Sequence, residues 1–240
     1  MKRIAFVNRK GGVGKTTSAV NVACGLARSG SHVLLVDLDE QGDASLWTGA
    51  TNAGLTVRDV IQGDVPIRKA IVHSETVDVL PSDSGLATLR DVPLDCLRKA
   101  MRGLSRSYDF VIYDCPRALA GVTFAALVAC DDVFIPIQAD LLSLPGLDIV
   151  MTSVDQVREK TSSKVSVKGF IVTNYDGRKS LSKQVVDSVT QRFDKPVFKV
   201  RTCVALAEAP GYAQSIFDYA PRSNGAADYG EIVRAILEGA

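Results

Sequence analysis

The stretch Asn8-Arg9-Lys10-Gly11-Gly12-Val13-Gly14-Lys15-Thr16-Thr17, NRKGGVGKTT, joins two segments of different character. Before it, Ile4–Asn8 is a compact apolar run. After it, Thr16–Arg28 repeats apolar residues at helical spacing until Ser29-Gly30 stops them. Strand, glycine turn and helix is therefore the expected order. A turn of small residues lets backbone N–H groups face an anion, and the helix start adds the positive end of its dipole. On this reading Gly11, Gly12, Val13 and Gly14 supply the backbone cradle and Lys15 reaches the β- and γ-phosphates of a nucleotide. The Thr16 hydroxyl ligates Mg²⁺, and Thr17 is assigned to the α-phosphate. Arg9 stands where the general pattern has its first glycine, and Lys10 is an additional cation at the loop's entrance.

Outward from the loop, short runs rich in Val and Ile recur: His32–Asp37, Val77–Pro81, Phe110–Asp114, Val133–Ile137 and Gly169–Asn174. Amphipathic segments separate most of them. This alternation predicts an α/β fold, a mostly parallel twisted sheet with helices on both faces and ligands at the strands' carboxyl ends. No repeat or linker divides the 240 residues, so one domain over 1–240 is expected. Asp37 and Asp114 end two of the strands. Hard Mg²⁺ takes carboxylates near phosphates, so both are candidate metal residues with Thr16. Asp39, just past the strand end, is placed to orient an attacking water. Ala118–Cys130 is too short to span a bilayer and reads as a buried helix. Five cysteines without a CxxC pair argue against a disulfide framework or zinc site, and no secretory run opens the chain. A reducing cytoplasmic setting is expected.

Several blocks together resemble a known family. KGGVGKTT is similar to the deviant Walker A loop of the ParA/MinD ATPases, VLLVDLDEQGDAS (Val33–Ser45) to their DxDPQGN block, and YDFVIYDCPRAL (Tyr108–Leu119) to their Walker B stretch. VALAEAPGYAQSIFDYAPRSNGAADY (Val204–Tyr229) resembles the tail of the ParA/Soj partition branch. The resemblance implies a P-loop NTPase fold and an ATP- and Mg²⁺-dependent switch that forms a homodimer on ATP binding. It also implies non-specific DNA binding, slow hydrolysis stimulated by a ParB-like partner, and a nucleoid-associated protein. Lys10 would then reach the phosphates of the other subunit, giving a catalytic set of Lys10, Lys15 and Asp39. Asn174 and Pro210 match positions around the base.

The chain departs from that pattern at Glu40, Asp43 and Arg117, each a charge near the phosphates, and at Thr202 and Ala205, where arginines are common. Between Arg158 and Arg201 stand eleven basic and four acidic residues, an excess of +7 that leaves −6 for the rest of a chain of net +1. This asymmetry favours a polyanion partner, with Arg201, Lys199, Arg192 and Lys183 as candidate DNA contacts. Two other classes stand beside this reading. A MinD-like membrane-surface ATPase needs a basic amphipathic end, which YGEIVRAILEGA does not supply. A cargo-positioning ATPase of the same family would carry the same motor.

Overall fold

Successive residues of a strand face opposite ways, so a strand covered on both sides is apolar at every position. A computed structural model describes residues 1–51, 54–104 and 107–239. Its strands are β1 (Lys2–Phe6), β2 (Val33–Asp37), β3 (Asp78–Leu80), β4 (Phe110–Asp114), β5 (Asp132–Gln138), β6 (Ser166–Tyr175) and β7 (Val197–Arg201). They form one sheet in the order β3-β2-β4-β1-β5-β6-β7, and every neighbouring pair is parallel. The helices are α1 (Lys15–Arg28), α2 (Asp43–Trp47), α3 (Val57–Gln62), α4 (Cys96–Met101), α5 (Val122–Ala129), α6 (Pro145–Lys160), α7 (Ser180–Arg192), α8 (Val204–Glu208), α9 (Ile216–Tyr219) and α10 (Asn224–Leu237).

The alternation sorts the core into two halves. Ile4, Phe6, Val33, Leu35 and Ile112 pack under α1 and α10, whereas Ala5, Leu34, Val36, Val111 and Tyr113 pack under α3 to α7. Parity then carries a functional consequence. Asp37 follows Leu35 by two and Asp114 follows Ile112 by two, so both carboxylates emerge on the α1 side. They are also register partners across β2 and β4. The helix expected in Ala118–Cys130 is α5, almost wholly buried.

The edge strand β7 lies outside the six runs read from the sequence. In Val197-Phe198-Lys199-Val200-Arg201, Phe198 and Val200 are buried while Lys199 and Arg201 are exposed. Alternation of this kind marks a strand packed on one side, and a search for continuous apolar runs passes over it. At the other end of the chain, α10 directs Tyr229, Ile232, Val233 and Ile236 into the core shared with α1. Among the described residues no helix is long and apolar enough to cross a membrane.

Candidate functional site

The loop after β1 turns through Gly12 and Gly14, whose φ angles of 70° and 85° lie in the left-handed region where a side chain is strained. Gly14 is also the N-cap of α1, and no side chain caps that helix. The N–H groups of its first turn are thus free to meet an anion. The loop is braced from behind by β5 and β6. Thr173 Oγ1 donates to the Val13 carbonyl or to that of Ile137, both at 3.1 Å, and Gln138 Nε2 donates to the Gly12 carbonyl at 3.0 Å. Asn8 Nδ2 donates to the Pro136 carbonyl at 2.7 Å, while its Oδ1 accepts from the Lys10 N–H.

Two cavities meet on this loop. The larger, about 630 Å³, is lined by the loop glycines, Lys15, Thr16, Thr17 and Asp39, with Gln41, Asp43 and Arg117 at its wall. The smaller is lined by Gly12, Gly14, Thr17, Asn174, Arg201 and Leu206 among others. Gly12, Gly14 and Thr17 belong to both, so the chamber over the loop adjoins a second, smaller compartment. Asn174, with a left-handed φ of 52°, borders that compartment. Pro210 stands in the turn Ala209–Tyr212 beyond it, outside the lining residues.

Electrostatics concentrates at the chamber's floor. Lys15 is buried, and burial lowers the pKa of its ammonium against the opposing pull of Asp114 and Asp39. Asp37 accepts from Ser45 N–H at 2.8 Å, Ser45 Oγ at 2.6 Å and Asp39 N–H at 3.1 Å. Burial nevertheless pushes its carboxyl up to about 6. Asp114 is fully buried, and neither of its oxygens has a hydrogen-bond partner of normal geometry. Desolvation first, and then the neighbouring Asp37, drive it well above the carboxylate range, while nearby Thr16 and Lys15 oppose the rise. An orphaned buried carboxylate beside a threonine hydroxyl is a donor set suited to a hard divalent cation.

Lys10 does not face the chamber. Its Nζ lies 2.8 Å from Asp140 and donates to Ser143 Oγ at 3.1 Å. Against partial burial, the Lys10 ammonium and the hydrogen bonds that Ser143 donates to Asp140 hold its carboxyl below the ordinary range. The sequence reading omits both Asp140 and Ser143. Asp140's signal was its place just past β5, at the same carboxyl edge as the loop.

Of the three charged departures, Asp43 and Arg117 line the phosphate chamber and Glu40 does not. The candidate DNA residues are scattered by their partners. Arg201 is bound through its backbone N–H, Nε and Nη2 to the buried carboxylate of Asp228, and Arg192 pairs with Asp148 at 2.6 Å. Lys199 Nζ lies 5.6 Å from the Tyr175 ring, and Lys183 is exposed on α7. Among the described residues, all four arginines between 158 and 201 have an aspartate partner, and none of the seven lysines does.

A glycine loop closing the central strand, an uncapped helix start, a buried lysine and paired strand-end carboxylates define a P-loop nucleotide-binding protein. Residues 1–167 match the family described as an AAA domain. The chain is 33% identical to the chromosome partitioning protein ParA of Caulobacter vibrioides, covering 99% of this chain and 94% of that protein. It is 36% identical to the chromosome-partitioning ATPase Soj of Treponema pallidum, covering 98% and 97%. Among solved structures, a cobyrinic acid a,c-diamide synthase from Mycobacterium smegmatis with bound ADP and magnesium superposes with a TM-score of 0.86. It is 29% identical, covering 99% of this chain and 94% of that one. The chain belongs to the ParA/Soj family of partition ATPases.

Proposed function

We propose that this protein is a Mg²⁺-dependent ATPase acting as a dimerising switch in DNA partition. The phosphate chamber carries this reading: Lys15 at its floor, the free N–H groups of α1 behind it and the unpartnered Asp114 carboxylate beside Thr16. ATP would lie with its phosphates on the loop and its base toward Asn174. Lys15 holds the β- and γ-phosphate oxygens. Thr16 and Asp114, with Asp37 behind, would hold Mg²⁺, which would supply positive charge against that developing on the phosphates. Asp39 accepts a hydrogen bond from the attacking water and aligns it with the terminal phosphorus.

Lys10 has a separate part. In one subunit it is engaged by Asp140, and on dimerisation it exchanges that carboxylate for the phosphates held by the other subunit. ATP then favours the dimer because only the dimer offers Lys10 that alternative partner. The dimer binds DNA through phosphate contacts, without reading sequence. A ParB-like partner accelerates the slow hydrolysis that returns the protein to subunits. The relatives named for chromosome partitioning support this cycle over other uses of the fold. The burial of α10's apolar face against α1 favours it over attachment to a membrane surface through that helix.

Lys15→Ala and Asp39→Ala separate binding from chemistry. Lys15→Ala should lose ATP affinity outright. Asp39→Ala should bind ATP and dimerise yet turn over slowly, because its interaction strengthens in the transition state. Nucleotide affinity, sedimentation and single-turnover hydrolysis read the three steps separately. Wild-type turnover in Asp39→Ala would remove that residue from the mechanism, and no ATP binding by the wild type would remove the proposal.

A further inference from the structure

Arg117 lies three residues beyond Asp114, after Cys115-Pro116, where the resembled pattern has a second proline. A proline there is inert toward phosphate, whereas an arginine has reach and charge. The side chain lies along the loop. Its Cδ and Nη1 stand 2.9 and 3.1 Å from the point that a Cβ on Gly11 would occupy. The absence of a side chain at Gly11 therefore makes room for the arginine stem over the loop, and the guanidinium is exposed at the wall of the phosphate chamber.

Charge gives this placement its meaning. Lys15 and Arg117 are the two cations among the residues lining the chamber, while Lys10 is held outside it by Asp140. Among the described residues Arg117 has no ion pair, unlike the arginines of the segment 158–201. Arg117 disfavours the Lys15 ammonium across this space, an effect that Asp39 in the same lining opposes and that an anion held between the two cations would relieve further. The second departure in the same wall, Asp43, adds a negative charge that would weaken a phosphate's hold. Arg117 restores the balance. Its planar fork of donors also suits a tetrahedral oxyanion approached from the rim, a geometry that the buried point charge of Lys15 does not offer.

We propose that Arg117 is a phosphate ligand acting within its own subunit, binding the terminal phosphate of the nucleoside triphosphate and so distinguishing it from the diphosphate before a second subunit arrives. The inference rests on the nucleotide reading above and adds to it a residue which the shared motifs do not contain. No bond is made or broken by Arg117. Its guanidinium contributes only charge and hydrogen bonds.

Titration calorimetry with Mg²⁺ tests this in a Lys10→Ala background, so that each nucleotide meets single subunits. ADP and a non-hydrolysable ATP analogue are each titrated into the parent, Arg117→Ala and Arg117→Gln. The glutamine variant keeps part of the stem over Gly11 and removes the charge. Both substitutions should leave ADP affinity in place and weaken the analogue by roughly ten- to hundredfold, the range for losing a hydrogen bond to a charged group. If either folded variant keeps the parent's preference for the analogue over ADP, Arg117 is not the ligand, while the nucleotide site stands. If the parent binds neither nucleotide, the reading of the site fails and the inference with it.

Discussion

On the proposed reading, Asp114 is the residue at which folding and cation binding pull in opposite directions. Its carboxylate is buried without a hydrogen-bond partner, a costly state for the protein without ligands and a useful one for holding a cation. Because its folded pKa is raised above the ordinary carboxylate value of about 3.9, stability present at low pH is lost as pH rises from there through the folded pKa. Asp114→Asn does not titrate. In chelator, its unfolding midpoint should pull ahead of the wild type's as the pH climbs from acid to neutral, while stabilisation by Mg²⁺ and ATP disappears. Equilibrium urea unfolding over that range measures both, and parallel midpoints would contradict the account. Lys10 offers a second test. Its pair with Asp140 is about one-third exposed on each side, so its loss costs little. Asp140→Asn should release Lys10 and tighten the ATP-bound dimer by roughly two- to thirtyfold, taking about 0.2–1 kcal/mol for each of two pairs. Sedimentation with a non-hydrolysable analogue reads the shift.

Strands, loop and helices were unequally legible in the sequence. β4 was read to the residue, because Phe110–Asp114 is a continuous apolar run ending in an acid. β6 extends to Ser166–Tyr175, past the apolar Gly169–Asn174 that announces it, since its ends need only backbone pairing. β7 was hidden by its own alternation. The glycine loop was legible because phosphate geometry demands its residues locally. The brace behind it was not, for Thr173 and Gln138 meet the loop only after β5 and β6 lie side by side. Arg201 shows the same limit. As a charge in a basic segment it is a DNA candidate, but the fold sets it beside Asp228, tying β7 to α10 at the edge of the smaller cavity. Arg201→Ala leaves the buried Asp228 carboxylate only the backbone N–H of residue 201 and removes its countercharge, so it should lower Tm and weaken nucleotide binding, effects that a mere DNA contact would not produce. Differential scanning calorimetry with and without nucleotide checks this.

Over the whole molecule, the positive excess between residues 158 and 201 sits against a negative remainder, and the cations of that segment left without aspartate partners are lysines. If these meet DNA in the ATP-bound dimer, log affinity should fall linearly with log salt concentration. Lys183→Ala and Lys199→Ala should each flatten the slope by about 0.9 for every DNA phosphate no longer neutralised, on all sequences alike. Fluorescence anisotropy on unrelated duplexes measures it, and unchanged slopes would move the DNA-binding surface elsewhere. The sheet has a consequence of another kind. An open parallel sheet presents unpaired backbone groups along both outer strands, and these can template the addition of foreign strands. One outer strand, β3, is only three residues long, and its Val79 is already bridged to Val72. The other, β7, displays Lys199 and Arg201 to solvent. Copies that meet in solution therefore present blunted edges, which disfavours irreversible strand stacking.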